Sequence, residues 1–183
     1  MICGIDEAGR GPLAGPLVVA GVVLRRRVHR LDDSKRLSAA ERERLFERIV
    51  AASSYHIVTI DAHDIDGDGL SACIRKALGE ICTALEAERY IFDGNSRFGA
   101  RCVEPMVKAD QKVREVMAAS ILAKVTRDRL MCEYDRLYPE YGFCRHKGYG
   151  TKEHIEAIRR YGLCPIHRKS FRPKALQPTL FEF

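Results

Sequence analysis

At 183 residues, with 46% hydrophobic and 31% charged side chains, the chain can bury one sizeable core and is too apolar to stay disordered. Its longest apolar run, Leu17 to Leu24, is too short for a membrane helix, and Arg10 breaks the N-terminal region before any leader-like stretch, so the expected location is the cytoplasm. The net charge of +6 is concentrated: Arg145 to Lys174 holds nine Lys and Arg against two Glu, interleaved with Tyr149, Tyr161 and Phe171, a pattern that suits a polyanion as well as a solvated basic face.

Ile2 to Asp6 reads as a short apolar strand that runs into the turn-forming Ala8-Gly9-Arg10-Gly11-Pro12. Leu17 to Leu24, rich in valine, reads as a core strand. Ser38 opens a helix with Glu41 completing a capping box, and Leu45, Phe46, Ile49 and Val50 give it an apolar face. Tyr55 to Ile60 alternates like a strand. Leu70 to Arg89 has helical spacing, with Ile74, Ala77, Leu78, Ile81 and Leu85 on one stripe. Tyr90-Ile91-Phe92 is a strand that ends at Asp93-Gly94-Asn95, and Cys102 to Val107 is a fifth.

Gln111 to Leu137 is the longest helical pattern, stopped by Tyr138-Pro139, and Thr151 to Tyr161 is a further helix closed by Gly162. This order predicts an α/β domain, a mixed central sheet flanked by helices with a helical C-terminal part. It spans residues 1–173, and residues 174–183, which follow Pro173 and contain Pro178, are expected to trail as a tail. Seven cysteines without a Cys-x-x-Cys pair argue against a disulfide framework or zinc site and for reduced thiols.

The acids that stand out sit at strand ends. Asp6 closes the first apolar run, Asp93 closes the fourth, and Asp110 follows the fifth, just before the long helix. Sites in α/β sheets form where strands end and loops diverge. If the first and fourth strands are neighbours, these carboxylates converge and repel unless a cation neutralises them. Hard oxygen donors without Cys or His suit Mg²⁺ or Mn²⁺, and two such ions can support phosphodiester hydrolysis. Glu7 poses a geometric question, because adjacent strand residues point to opposite faces. It serves the same site only if the strand has ended there, or through its backbone or a water. Taken singly, each of these acids is far more often a turn or cap residue than a catalytic one, so the case rests on the surrounding sequence.

The stretch Gly4-Ile5-Asp6-Glu7-Ala8-Gly9-Arg10-Gly11-Pro12-Leu13-Ala14-Gly15-Pro16 closely resembles the N-terminal signature of ribonuclease HII, the type 2 prokaryotic ribonuclease H. Asp33 to Ser38, Asp93-Gly94-Asn95, Ala118 to Asp128, His146 to Thr151 and His167 to Phe171 continue the resemblance in order. It implies a ribonuclease H-like fold and a carboxylate centre of Asp6, Glu7, Asp93 and Asp110 that holds Mn²⁺ or Mg²⁺, two ions during catalysis. It also implies cleavage of the RNA strand of RNA–DNA hybrids, and of duplex DNA 5′ to a lone ribonucleotide, leaving a 3′-hydroxyl and a 5′-phosphate in repair and replication.

By the same resemblance, Gly9-Arg10-Gly11 is the ribonucleotide sensor and Tyr149 packs on the neighbouring nucleotide. The chemistry agrees: glycines let a backbone approach a sugar, and Arg10 can hold a phosphate. Ser34 and Lys35 resemble phosphate contacts, with a helix approach as the rival reading. Ser120, Lys124 and Arg127 form a polar stripe that could face the nucleic acid backbone, with Lys124–Asp128 pairing as the rival. Gln177, Leu180 and Phe181 are similar to a sliding-clamp peptide; the rival is a tail folded back on the domain.

Asp64, Asp66 and Asp68 begin like a calcium loop, but the twelfth position is Arg75, which excludes one. The family's asparagine is absent there, which leaves local helix capping open. A non-catalytic nucleic-acid-binding protein on the same fold is the alternative from another class, disfavoured because all four carboxylates are present.

Overall fold

The structure, a computed structural model, describes residues 1–31 and 37–177. Five strands form one sheet: β1 (Ile2–Ala8), β2 (Leu17–Leu24), β3 (Ser53–Ile60), β4 (Arg89–Asp93) and β5 (Glu104–Met106), in the order β3-β2-β1-β4-β5. β1, β2 and β3 pair antiparallel as a meander, whereas β4 runs parallel to both β1 and β5. The expected mixed sheet is present.

β2 explains the layering. Its side chains alternate between faces, and both faces are apolar. Leu17, Val19 and Val23 join a core with Ile74, Leu78 and Ile81 of α3 (Leu70–Ala84). Val18, Ala20 and Val22 join another with Ile49 of α1 (Ala39–Ala52) and Ile121 and Leu122 of α4 (Arg114–Leu137). The sheet is therefore sandwiched between α3 on one side and α1 with α4 on the other. The start of α4 lies directly on β1: a Cβ on Gly4 would stand 2.2 Å from the backbone of Glu115 and Val116, so only glycine permits this approach.

A third core, of Leu13, Ala14, Met131, Tyr141, Phe143, Ile155 and Ile158 among others, joins the far end of α4 to α5 (Phe143–His146) and α6 (Lys152–Tyr161). The helical C-terminal part thus packs against the turn after β1. Ser38 caps α1 with the expected Glu41 box, and Thr151 caps α6.

Several boundaries differ from the sequence reading. α3 stops at Ala84, where the Leu85 N–H closes on the Ile81 carbonyl, five residues short of the expected end. The long helix begins at Arg114, because Ala109–Gln111 forms a separate 3₁₀ turn. An unexpected helix, α2 (Ala62–Asp68), is capped by the Asp61 side chain. Asp66 and Asp68 do not gather as in a calcium loop: Asp66 accepts from Lys169 N–H and Ser170, and Asp68 pairs with Lys76. Thiols are not all free either: Cys132 and Cys144 form a disulfide. Their spacing of twelve residues matches no familiar pairing motif, and the turn after α4 alone brings them together. No helix among the described residues is long and apolar enough to cross a membrane.

Candidate active site

Pairing of β1 with β4 places Ile5 opposite Phe92, so Asp6 and Asp93 stand side by side one residue further on. Alternation sends both toward the α4 face, since Gly4 and Ile91 contact the start of α4 while Ile5 and Phe92 pack on the α3 side. Asp110 arrives from the 3₁₀ turn before α4. Two N–H groups hold that turn against β4: those of Ala109 and Asp110 donate to Asp93 Oδ1 at 2.7 and 3.4 Å. Carboxylate oxygens of Asp6, Asp93 and Asp110 lie within 4.8 Å of one another.

Asp6 and Asp110 are buried. Burial first, then the charges of Glu7, Asp93 and Asp110, push the Asp6 carboxyl well above the ordinary carboxylate range, against one hydrogen bond from the Glu7 N–H. Three converging acids, one of them strained toward neutrality, make a donor set that fits a hard divalent cation.

Glu7 stands differently. β1 continues to Ala8, which pairs with Val18, so the strand has not ended at Glu7. Its carboxylate is not among the three clustered within 4.8 Å, yet it lines the same cleft and its Oε1 lies 2.8 Å from Arg10 Nε. The Arg10 guanidinium also sits 5.1 Å above the Phe98 ring.

This cleft, about 390 Å³, is lined by Asp6, Glu7, Gly9, Arg10, Gly11, Asp93, Ser120, Lys124 and Tyr149, and also by Arg42, which the sequence reading did not select. Lys124 stands in the wall of the cleft and pairs with Asp128 at 2.9 Å, the rival contact expected for it. Tyr149 is exposed at the rim. Ser34, Lys35, Leu180 and Phe181 lie outside the described residues; Gln177 follows a short 3₁₀ turn and donates to the Arg172 carbonyl.

Arg127 requires correction. It does not face a nucleic acid backbone but is 1% exposed, with its guanidinium donating to the carbonyls of Pro16, Lys147 and Ala14 at 2.9, 2.9 and 3.1 Å. Its place on the helix points at the turn after β1, whose open carbonyls need donors. Arg168, selected for no role from sequence, does the same from the other side. It donates to Gly9, Arg10 and Gly15 carbonyls, and remains cationic although burial draws its pKa down to about 10. Gly9, at φ +101°, has no room for a side chain: a Cβ would stand 2.2 Å from Arg127 Nε. The Gly9-Arg10-Gly11 turn is thus clamped by two buried arginines. A helix face that is polar at i, i+4 and i+7 could have been read as internal only with knowledge of what packs on it.

The family model for ribonuclease HII matches residues 3–174. The chain belongs to the ribonuclease HII family. A ribonuclease HII from Sulfurovum sp. (strain NBC37-1) is 58% identical over 98% of this chain and 96% of its own. Among solved structures, the PCNA:RNase HII complex from Archaeoglobus fulgidus contains a chain that superposes with a TM-score of 0.83 at 28% identity, covering all of both chains. Ribonuclease H2 from Pyrococcus horikoshii OT3 gives 0.75 at 28%, over 93% of each. As a member of that family, the chain is a metal-dependent endonuclease of the ribonuclease H class, a hydrolase of phosphodiester bonds.

Proposed function

We propose that this protein cuts the RNA strand of RNA–DNA hybrids and nicks duplex DNA 5′ to a single embedded ribonucleotide. The products are a 3′-hydroxyl and a 5′-phosphate, and the work is ribonucleotide removal during cytoplasmic DNA repair and replication. The convergence of Asp6, Asp93 and Asp110 carries this reading. With Glu7 they would hold Mn²⁺ or Mg²⁺, two ions during turnover. When bound, such ions stabilise the charge on attacking and leaving oxygens.

The protein's own side chains do the rest. Arg168 and Arg127 hold the Gly9-Arg10-Gly11 turn by its carbonyls and neighbouring backbone, fixing the surface that meets the ribose 2′-hydroxyl. Arg10 takes the adjacent phosphate, and Ser120 and Lys124 line the path of the backbone; Ser34 and Lys35, outside the described residues, are further phosphate contacts in this proposal. Tyr149 offers its ring at the rim to the next nucleotide.

Cleavage mapping on a duplex with one ribonucleotide tests this, in Mn²⁺ and Mg²⁺ separately. A single nick 5′ to the ribonucleotide is expected; random cutting, or cutting of the all-DNA control, would refute it.

The Archaeoglobus fulgidus protein was solved with a sliding clamp, PCNA. We extend that partnership here to the tail residues Gln177, Leu180 and Phe181. Deleting Gln177 onward should weaken binding to a replication clamp while leaving cleavage of short duplexes intact. Unchanged clamp affinity would refute the anchor.

A further inference from the structure

Glu7 and Arg10 stand in an unusual relation to the three aspartates. Glu7 lines the cleft, yet its carboxylate lies outside the 4.8 Å cluster and against the Arg10 guanidinium, 2.8 Å away. Arg10 is held from two directions, by this ion pair and by the Phe98 ring 5.1 Å below it. Phe98 sits in the loop between β4 and β5 and packs edge-on against Phe92 at 6.2 Å, which fixes the platform. Arg10 itself remains partly open, with 39% of its side chain exposed, whereas Glu7 keeps only 13%. The outer partner is thus the one that an incoming phosphate meets first.

We infer that Arg10 is a latch that links sensing of the substrate to completion of the metal centre. In the free protein the guanidinium holds the Glu7 carboxylate outside the tight cluster of three aspartates, although near enough for its charge to act on Asp6. A substrate phosphate, bidentate and doubly charge-assisted, competes with Glu7 for the same guanidinium. Once Arg10 turns to the phosphate, the Glu7 carboxylate is released toward Asp6, Asp93 and Asp110 as a fourth oxygen donor. Metal affinity and substrate affinity then raise each other, as linkage requires of any two ligands that compete with one internal contact. Arg10 is a positioning residue in this scheme as well as a phosphate contact. The inference rests on reading the four carboxylates as the metal centre.

The test uses the full chain in four forms: wild type, Arg10→Ala, Glu7→Gln and the double variant. Calorimetric titration with Mn²⁺ in the absence of nucleic acid reads the first half of the latch. Arg10→Ala should tighten Mn²⁺ binding about fivefold, the upper range for a partly exposed pair. In the Glu7→Gln background the same change should have almost no effect. A general electrostatic influence of Arg10 would persist in both backgrounds, and equal effects in the two would overturn the latch.

Binding of a duplex carrying one ribonucleotide, measured in EDTA, reads the second half. Glu7→Gln should tighten it, and should no longer do so once Arg10 is alanine. Additive effects here also overturn the proposal. Failure of the underlying reading looks different: Asp6→Asn would then leave Mn²⁺ affinity unchanged, whatever the behaviour of Arg10.

Discussion

Arg168 Nη2 donates to the carbonyl of Gly9 at 2.6 Å, so a residue near the end of the fold sets the backbone of the turn that follows β1. The same guanidinium reaches Arg10 and Gly15, and Asp66 in turn holds the Lys169 and Ser170 amides that follow it. The turn expected to sense the ribose is therefore built from the two ends of the chain.

Replacing Arg168 with lysine keeps the charge but loses the fork that serves three carbonyls. Each buried carbonyl left without a donor costs about 1–3 kcal/mol. We expect Arg168→Lys to lose roughly 3 kcal/mol and the preference for ribonucleotide over DNA to shrink together. Scanning calorimetry and paired cleavage assays measure both. A wild-type melting temperature would mean that the carbonyls find other donors.

Asp6→Asn should abolish cleavage while leaving the metal-free protein no less stable. The wild-type carboxyl is pushed upward by burial and three neighbouring acids, so its ionised form is disfavoured in the fold. Asparagine removes that charge and can still accept from the Glu7 N–H, which now bonds Asp6 Oδ1 at 2.8 Å. A gain on the order of 1 kcal/mol in EDTA is expected, the usual trade between a strained site and stability. Urea denaturation of both proteins in EDTA decides this; a clear loss would show that repulsion among the acids is already relieved.

Much of this was legible in the chain, for reasons that can be named. β2 was read to the residue because both its faces are apolar, and α1 because Ser38 and Glu41 mark its start. Asp93 ends β4 as expected, whereas Asp6, expected to close its strand, lies two residues inside β1; their meeting needed only that β1 and β4 be neighbours. What escaped depends on packing partners distant in sequence. Arg127 and Arg168 look like surface cations until the carbonyls of Gly9 to Pro16 are seen against them. The Cys132–Cys144 bond depends on where the turn after α4 folds back, and Phe98 on where the β4–β5 loop lies beneath Arg10.

His154 and His167 make stability depend on acidity. Their Nε2 atoms are 3.0 Å apart, and His154 Nδ1 donates to the Tyr149 carbonyl, which leaves its Nε2 as acceptor and the His167 Nε2–H as donor. The Cys164 N–H completes the chain by donating to His167 Nδ1. Burial pushes both imidazoles down, His167 to about 4. An unfolded histidine titrates near pH 6.5, so between those values the unfolded chain binds more protons than the folded one. Stability is therefore fully present above about pH 6.5 and falls until about pH 4, by roughly 3 kcal/mol for His167 alone. Thermal unfolding from pH 7.5 to 4.5 should show a steeper decline in wild type than in His167→Gln. Parallel curves would contradict the neutral pair.

Reduction of Cys132–Cys144 should loosen the rim of the cleft. The bond closes twelve residues of sequence between α4 and α5. Loop-closure entropy for that length is worth about 3 kcal/mol. Three residues beyond Cys144, Lys147 lends its carbonyl to Arg127, and Tyr149 follows two further on, so slack introduced at α5 reaches the nucleotide-stacking position. Dithiothreitol should lower the melting temperature of wild type by several degrees, about 2–4 °C per kcal/mol for a chain of this size. Substrate KM should rise while kcat holds, because Asp6, Asp93 and Asp110 are anchored on β1, β4 and the 3₁₀ turn, away from α5. Cys132→Ser should be indifferent to the reductant in both measurements. A wild-type protein equally indifferent would mean that the packing of Tyr141 and Phe143, stacked at 5.2 Å, already holds α5 in place without the bond.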